Sequence, residues 1–240
     1  MNSTTRIVDL IITEQIQILV YAGISLAVVI CTGLLYAHDK SIYKPFFGDI
    51  NPVVAVAIIS LLGLFLLAIL LSRGWFAIFR LHNVQGLAVA CGLAALFSLV
   101  IVLADIKIVF PADTNRPYPQ ALLFYPSIGF VVEILFHVLP LTLLLVGITS
   151  FFDNLNFERI IWPTILFVAL LEPIFQTWAG FSKPYPAWVT GFVALHIFLI
   201  NFCQLVIFRR YDFVSMYSFR LMYYLLWHIV WGVIRLRLLF

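Results

Sequence analysis

Glu133 and His137 stand in the middle of an apolar stretch, Phe124 to Val146, reading FYPSIGFVVEILFHVLPLTLLLV. A charged side chain at bilayer depth costs about 2.5–3.5 kcal/mol on insertion scales, so such residues are rare and mark sites. Four residues apart on a helix, the two point in directions about 40° different and share a face. A carboxylate and an imidazole so placed, in a low-dielectric setting, are expected to form an acid–base pair. Glu172, His196 and His228 each sit within a few residues of the middle of their own apolar stretch. Independent placement would scatter these groups in depth. Their convergence predicts one polar site, whose candidate catalytic residues are Glu133, His137, Glu172, His196 and His228.

Plainer roles exist for several polar residues. A single polar group in a span often only bonds a neighbouring helix, worth about 0.6 kcal/mol on average. His196, with Asn201 and Gln204 on the same stretch, fits that role too. His228 lies among Tyr223, Tyr224, Trp227 and Trp231, a composition that also suits an interfacial belt. Arg220 is expected to snorkel toward the nearby loop. Glu133 is harder to place this way, because a buried carboxylate needs a partner or a proton. Pro140 follows His137 and Pro173 follows Glu172. Each proline frees a carbonyl and kinks its helix. Broken membrane helices line protein or water-filled cavities, so a hydrated pocket is expected beside the two carboxylates.

The elements that carry these residues follow from composition. Of 240 residues, 64% are hydrophobic and 10% charged. Soluble domains are about 25% charged and 45–50% apolar, so this chain is expected to sit in lipid. The 23 Phe, 10 Tyr and 6 Trp suit helices that face lipid and meet headgroups. The net charge of +3 is spread over the loops without a basic cluster, which excludes a nucleic-acid partner. Cys31, Cys91 and Cys203 all lie in apolar stretches without metal-ligand spacing and are expected to be buried, not bridged. The N-terminus, with Arg6, Asp9 and Glu14 before a long apolar run, does not read as a cleavable signal.

A span needs about 20 apolar residues. Seven stretches qualify, at about 18–36, 52–71, 86–103, 124–146, 160–178, 187–208 and 213–234. The expected fold is therefore all-α: one polytopic transmembrane bundle of about seven helices, with termini on opposite sides. Basic residues divide almost evenly between the two sides, so loop charge sets no orientation. Arg73 to Arg80, short and aromatic, reads as an interfacial segment. Pro111 to Gln120, PADTNRPYPQ, reads as an exposed loop in which three prolines forbid helix. Asp153 to Arg159 reads as a turn, and Arg235 and Arg237 as a basic tail.

Glu133-Ile-Leu-Phe-His137 resembles the first motif of the CAAX-protease and bacteriocin-processing (CPBP, or Abi) family of intramembrane proteases. That motif is two glutamates, three mostly apolar residues and an arginine. Glu133 takes the second Glu position, Val132 the first, and His137 the arginine position. For the second motif, Phe-x-x-x-His, Phe192 to His196 matches the letters, while Phe167 to Glu172 fits the interval better and lacks the His. The third is His followed four residues later by Asn or Asp; His228 supplies the first half, and Gly232 stands where the amide or acid is expected. The resemblance covers about 121–240. It implies a helix bundle in the bacterial plasma membrane that hydrolyses a membrane-associated peptide or protein. Glu133 or Glu172 would be the base for a water, with His137 orienting it. His196 and His228 would stabilise the oxyanion.

Competing readings stay open. Val132, His137 and Gly232 at motif positions also fit a non-catalytic relative that binds or scaffolds a membrane partner. Acid–His clusters at the membrane midplane suit proton-coupled transport, and histidines on separate helices can ligate haem. No organic cofactor is implied by the resemblance. A divalent metal among the His and Glu side chains has no HExxH motif behind it.

Overall fold

The computed structural model describes residues 14–151, 156–180 and 185–240. All seven expected stretches are helical, and no strand occurs among the described residues. In chain order the helices are α1 (Gln15–His38), the short α2 (Lys44–Phe47), α3 (Pro52–Ser72) and α4 (Val84–Ile108). A long rod follows: α5 (Ala121–Val132), a π-helical segment π1 (Glu133–Val138) and α6 (Leu139–Phe151). Then come α7 (Phe157–Gly180) and α8 (Ala187–Arg210). The last rod is α9 (Phe213–Tyr223), a second π segment π2 (Tyr224–Trp231) and α10 (Gly232–Leu238).

Six of these helices are long and apolar enough to cross a membrane: α1, α3, α4, the rod Ala121–Phe151, the Phe157–Thr177 part of α7, and α8. The chain is an integral membrane protein with an all-α polytopic bundle. Outward apolar side chains such as Leu19, Leu61 and Phe65 are the surface it offers to lipid. The seventh rod, Phe213 to Leu238, is charged at Arg220, Arg235 and Arg237, and it packs against α4, α5 and α8. On the other side, α1 lies along α3 and α5. The α7–α8 pair reaches the centre through π1 and α9.

Local chemistry sets the helix starts. Pro52 takes the first turn of α3, where its missing N–H costs nothing, and the Asn51 side chain accepts from the Val53 N–H at 2.9 Å. Asn83 caps α4 through the Gly86 N–H at 2.9 Å, and Asp212 caps α9 through the Ser215 N–H at 2.7 Å. The first π segment lies just before Pro140, which has no N–H to donate to the turn behind it.

Several expectations are corrected. Arg73 to Arg80 is not a span, as expected, but its middle residues Phe76, Ala77 and Ile78 are buried in the bundle. The Ala77 and Ile78 carbonyls accept from the free N–H groups of Phe213 and Val214 at the start of α9. The segment 111–120 is a loop with exposed tips and a cis Tyr118–Pro119 bond, but it holds one 3₁₀ turn, Ala112–Thr114, and buries Asn115. Of the expected turn from Asp153, residues 153–155 lie outside the described residues, and α7 already begins at Phe157. The three cysteines are free but only half-buried.

Candidate functional site

Glu133 and His137 occupy π1 and are both 0% exposed. They share a face as expected, with His137 Nδ1 2.5 Å from Glu133 Oε2. A carboxylate only accepts, so Nδ1 carries the hydrogen. His137 Nε2 is buried without a hydrogen-bond partner among the described residues and lies 4.0 Å from Glu172 Oε2.

Arg220 sits at the centre of the cluster, 4% exposed. It does not snorkel. Its Nε donates to Glu133 Oε1 at 2.5 Å, while Nη1 and Nη2 fork onto Glu172 at 3.3 and 3.0 Å. Nη2 also donates to Gln204 Oε1 at 3.0 Å, and the Gln204 amide donates to Glu133. A guanidinium is suited to this task because its donors form a rigid planar fork that one ammonium cannot reproduce. Gly129 makes room for it: a Cβ there would lie 3.4 Å from Arg220 Cδ and 3.0 Å from Tyr224 Cε2. Arg220 was missed from the sequence, although a signal existed. Eight residues separate it from Asp212, about 12 Å or two helical turns, which is deep for a side chain meant to reach the loop.

Beyond Arg220 opens a cavity of about 410 Å³, lined by Glu172, His196, His228 and Arg220 with aromatic walls that include Tyr223 and Trp227. The expectation that Glu133 and His137 also line it is not met. They form a fully buried layer behind, joined to the cavity through Arg220 and the long approach to Glu172. The rotation of the last rod decides this, because it drives the Arg220 guanidinium between the two carboxylates. Glu172 Oε1 also accepts from Gln176 Nε2 at 2.9 Å.

The two cavity histidines are held differently. His196 Nε2 is 3.3 Å from the Tyr223 hydroxyl, and its ring meets the edge of Phe97 at 5.5 Å. His228 stacks on Tyr125 with centroids 4.4 Å apart, and its Nδ1 is 2.8 Å from Asn115 Oδ1. It therefore faces the protein interior and not an interfacial belt. Pro111, Asp113 and Thr114 bring the 111–120 loop onto the cavity.

A second buried ion pair supports that loop. Asp105 and Arg235 are both 0% exposed, joined by Nε to Oδ2 at 2.6 Å and Nη2 to Oδ1 at 3.0 Å. Arg235 was expected in a basic tail; it is interior, as is Asp105 in the last turn of α4. Trp231 Nε1 also donates to Asp105 at 2.7 Å. No group of three or more His, Cys, Asp or Glu among the described residues is arranged to hold a metal ion.

Compared with family models, curated proteins and solved structures, the chain finds no match in any of the three. The motif resemblance rests on the residues quoted for it.

Proposed function

We propose that this chain is a divergent CAAX-protease-like intramembrane endopeptidase of the bacterial inner membrane, acting on a membrane-associated peptide or protein. The observation that carries the reading is the meeting of Glu172, His196 and His228, from three separate helices, on one cavity within the bundle. Glu172 is the base and not Glu133, because it is the carboxylate that reaches the cavity. It takes a proton from a water whose oxygen adds to the substrate carbonyl carbon. The carbon–nitrogen bond then breaks, and the amine leaves with that proton, giving a new carboxyl end. Glu133 and His137 act behind, by holding Arg220 and through it Glu172. His196, on the cavity wall and bonded to Tyr223, would donate toward a developing oxyanion.

A second reading, a non-catalytic membrane protein that binds a lipid-linked or membrane peptide, is favoured by one feature. Both oxygens of Glu172 are already engaged, by Arg220 and Gln176. The test is mass spectrometry of a panel of membrane-anchored peptides incubated with the protein in proteoliposomes. Hydrolysis is expected from the unaltered chain. Glu172→Gln is expected to lower its rate by about 100-fold or more, the usual range for a lost acid–base group, with a near-unchanged folded yield. Saturable peptide binding without cleavage would replace the first reading with the second.

A further inference from the structure

We propose that Asn115 is the positioning residue of His228 and that it dedicates His228 Nε2 to accepting a proton from an O–H or N–H group in the cavity. The orientation of the imidazole is the starting point. Stacking on Tyr125, with rings 19° from parallel, and the near-perpendicular Tyr224 at 5.0 Å fix the plane of the ring. Aromatic packing does not distinguish a ring nitrogen from a ring carbon, so it leaves a half-turn of the ring open. The hydrogen bond to Asn115 removes that freedom. With the Asn115 amide oxygen turned to it, Nδ1 carries the hydrogen, because an amide oxygen only accepts, and the neutral ring keeps its lone pair on Nε2. His228 lines the cavity, and its one hydrogen bond among the described residues is made through Nδ1, not Nε2.

The placement of Asn115 is a built feature of the fold. It is only 9% exposed, although it belongs to a loop whose neighbours Thr114 and Pro117 are exposed. Its side chain enters the last rod at Gly232, one turn beyond His228. A Cβ at position 232 would lie 3.1 Å from Asn115 Nδ2 and 3.2 Å from its Cβ, closer than ordinary packing allows. A side chain at 232 and the amide of Asn115 therefore compete for one volume, and the glycine yields it to the loop. The Arg235 Nη1 bond to the Pro111 carbonyl, at 3.0 Å, holds the loop at the same end of the rod. A loop residue 113 positions earlier in the chain thus orients a cavity histidine.

The catalytic meaning of this rests on the proposed hydrolysis, in which His228 would take the second proton-accepting position beside Glu172. The tautomer does not, and it is measured without substrate. The probe is the full-length protein labelled with ¹⁵N-histidine in lipid nanodiscs, with His228→Gln used to assign its signals among the five histidines. The expected result is an Nδ1–H tautomer for His228, with the ¹⁵N shift of a bare Nε2. Asn115→Ala is expected to lose the Nδ1–H signal as the dominant form. A merely space-filling role for Asn115 would leave the tautomer unmoved. The proposal is overturned if His228 in the unaltered protein carries its hydrogen on Nε2, a result that needs no variant to fold. It is equally overturned if folded Asn115→Ala keeps the Nδ1–H form.

Discussion

Arg220→Leu is expected to destabilise the folded protein by about 3–5 kcal/mol, the cost of leaving a buried charge without its partner. Here two carboxylates lose that partner at once. Among the described residues, Glu133, fully buried, keeps His137 and Gln204, while Glu172 keeps Gln176. The leucine cannot satisfy the oxygens it exposes to one another, and like charges then face across the gap. The sign of the effect is checked by a companion variant. Adding Glu133→Gln and Glu172→Gln to Arg220→Leu is expected to return much of the stability, because a neutral buried cluster lacks the desolvation penalty of unpaired ions. Arg220→Lys is expected to fall between, since one ammonium cannot engage both carboxylates with the same geometry. Reversible unfolding in mixed micelles reads all three. A loss under about 1 kcal/mol, the size expected of exposed pairs, would place Arg220 at the surface.

Arg235→Leu is expected to cost a similar amount, about 3–5 kcal/mol, by stranding Asp105. Its second consequence is local. Arg235 also donates to the Phe110 carbonyl at 2.5 Å and the Pro111 carbonyl at 3.0 Å, and Asp105 accepts from the Phe110 N–H at 2.8 Å. These bonds bracket Val109, which ends α4 in the left-handed region at φ 54°. A β-branched residue there carries strain of about 1–3 kcal/mol and persists only where its surroundings impose it. Without Arg235 the constraint is released, and the 111–120 loop is expected to detach. Limited proteolysis in sealed vesicles of known orientation is expected to cut the loop faster in Arg235→Leu than in the unaltered chain or in Arg220→Leu. Equal rates in all three would mean that the ion pair does not hold the loop.

The bundle was legible in the sequence because each helix satisfies its own backbone and shows lipid a continuous apolar run. Ile18–Tyr36 or Ala187–Phe208 needs no tertiary information to be read. The Glu133–His137 contact was legible for the same reason, being local to one helix. Contacts between helices were not. Whether Glu133 reaches the cavity depends on the rotation of a rod that begins 80 residues later, at Phe213. Asp105 and Arg235, 130 residues apart, each look like ordinary helix-end charges until their helices are side by side. The composition of Arg73 to Arg80 gave no sign that its backbone carbonyls serve the start of α9. The π segments leave a faint trace at Pro140 and none that was read around His228.

The division of the polar cluster into a cavity side and a buried side, with Arg220 between them, is tested most directly by thiol labelling. In a background with Cys31, Cys91 and Cys203 replaced by serine, single cysteines are placed at Val193 and His228, which line the cavity, and at Ile134, which is fully buried beside Glu133. A small polar methanethiosulfonate reagent is applied to the folded protein, with the unfolded protein as the reference for complete reaction. Rapid modification at 193 and 228 with protection at 134 is the predicted result. Modification at 134 as fast as at 228, or protection at all three positions, would contradict it.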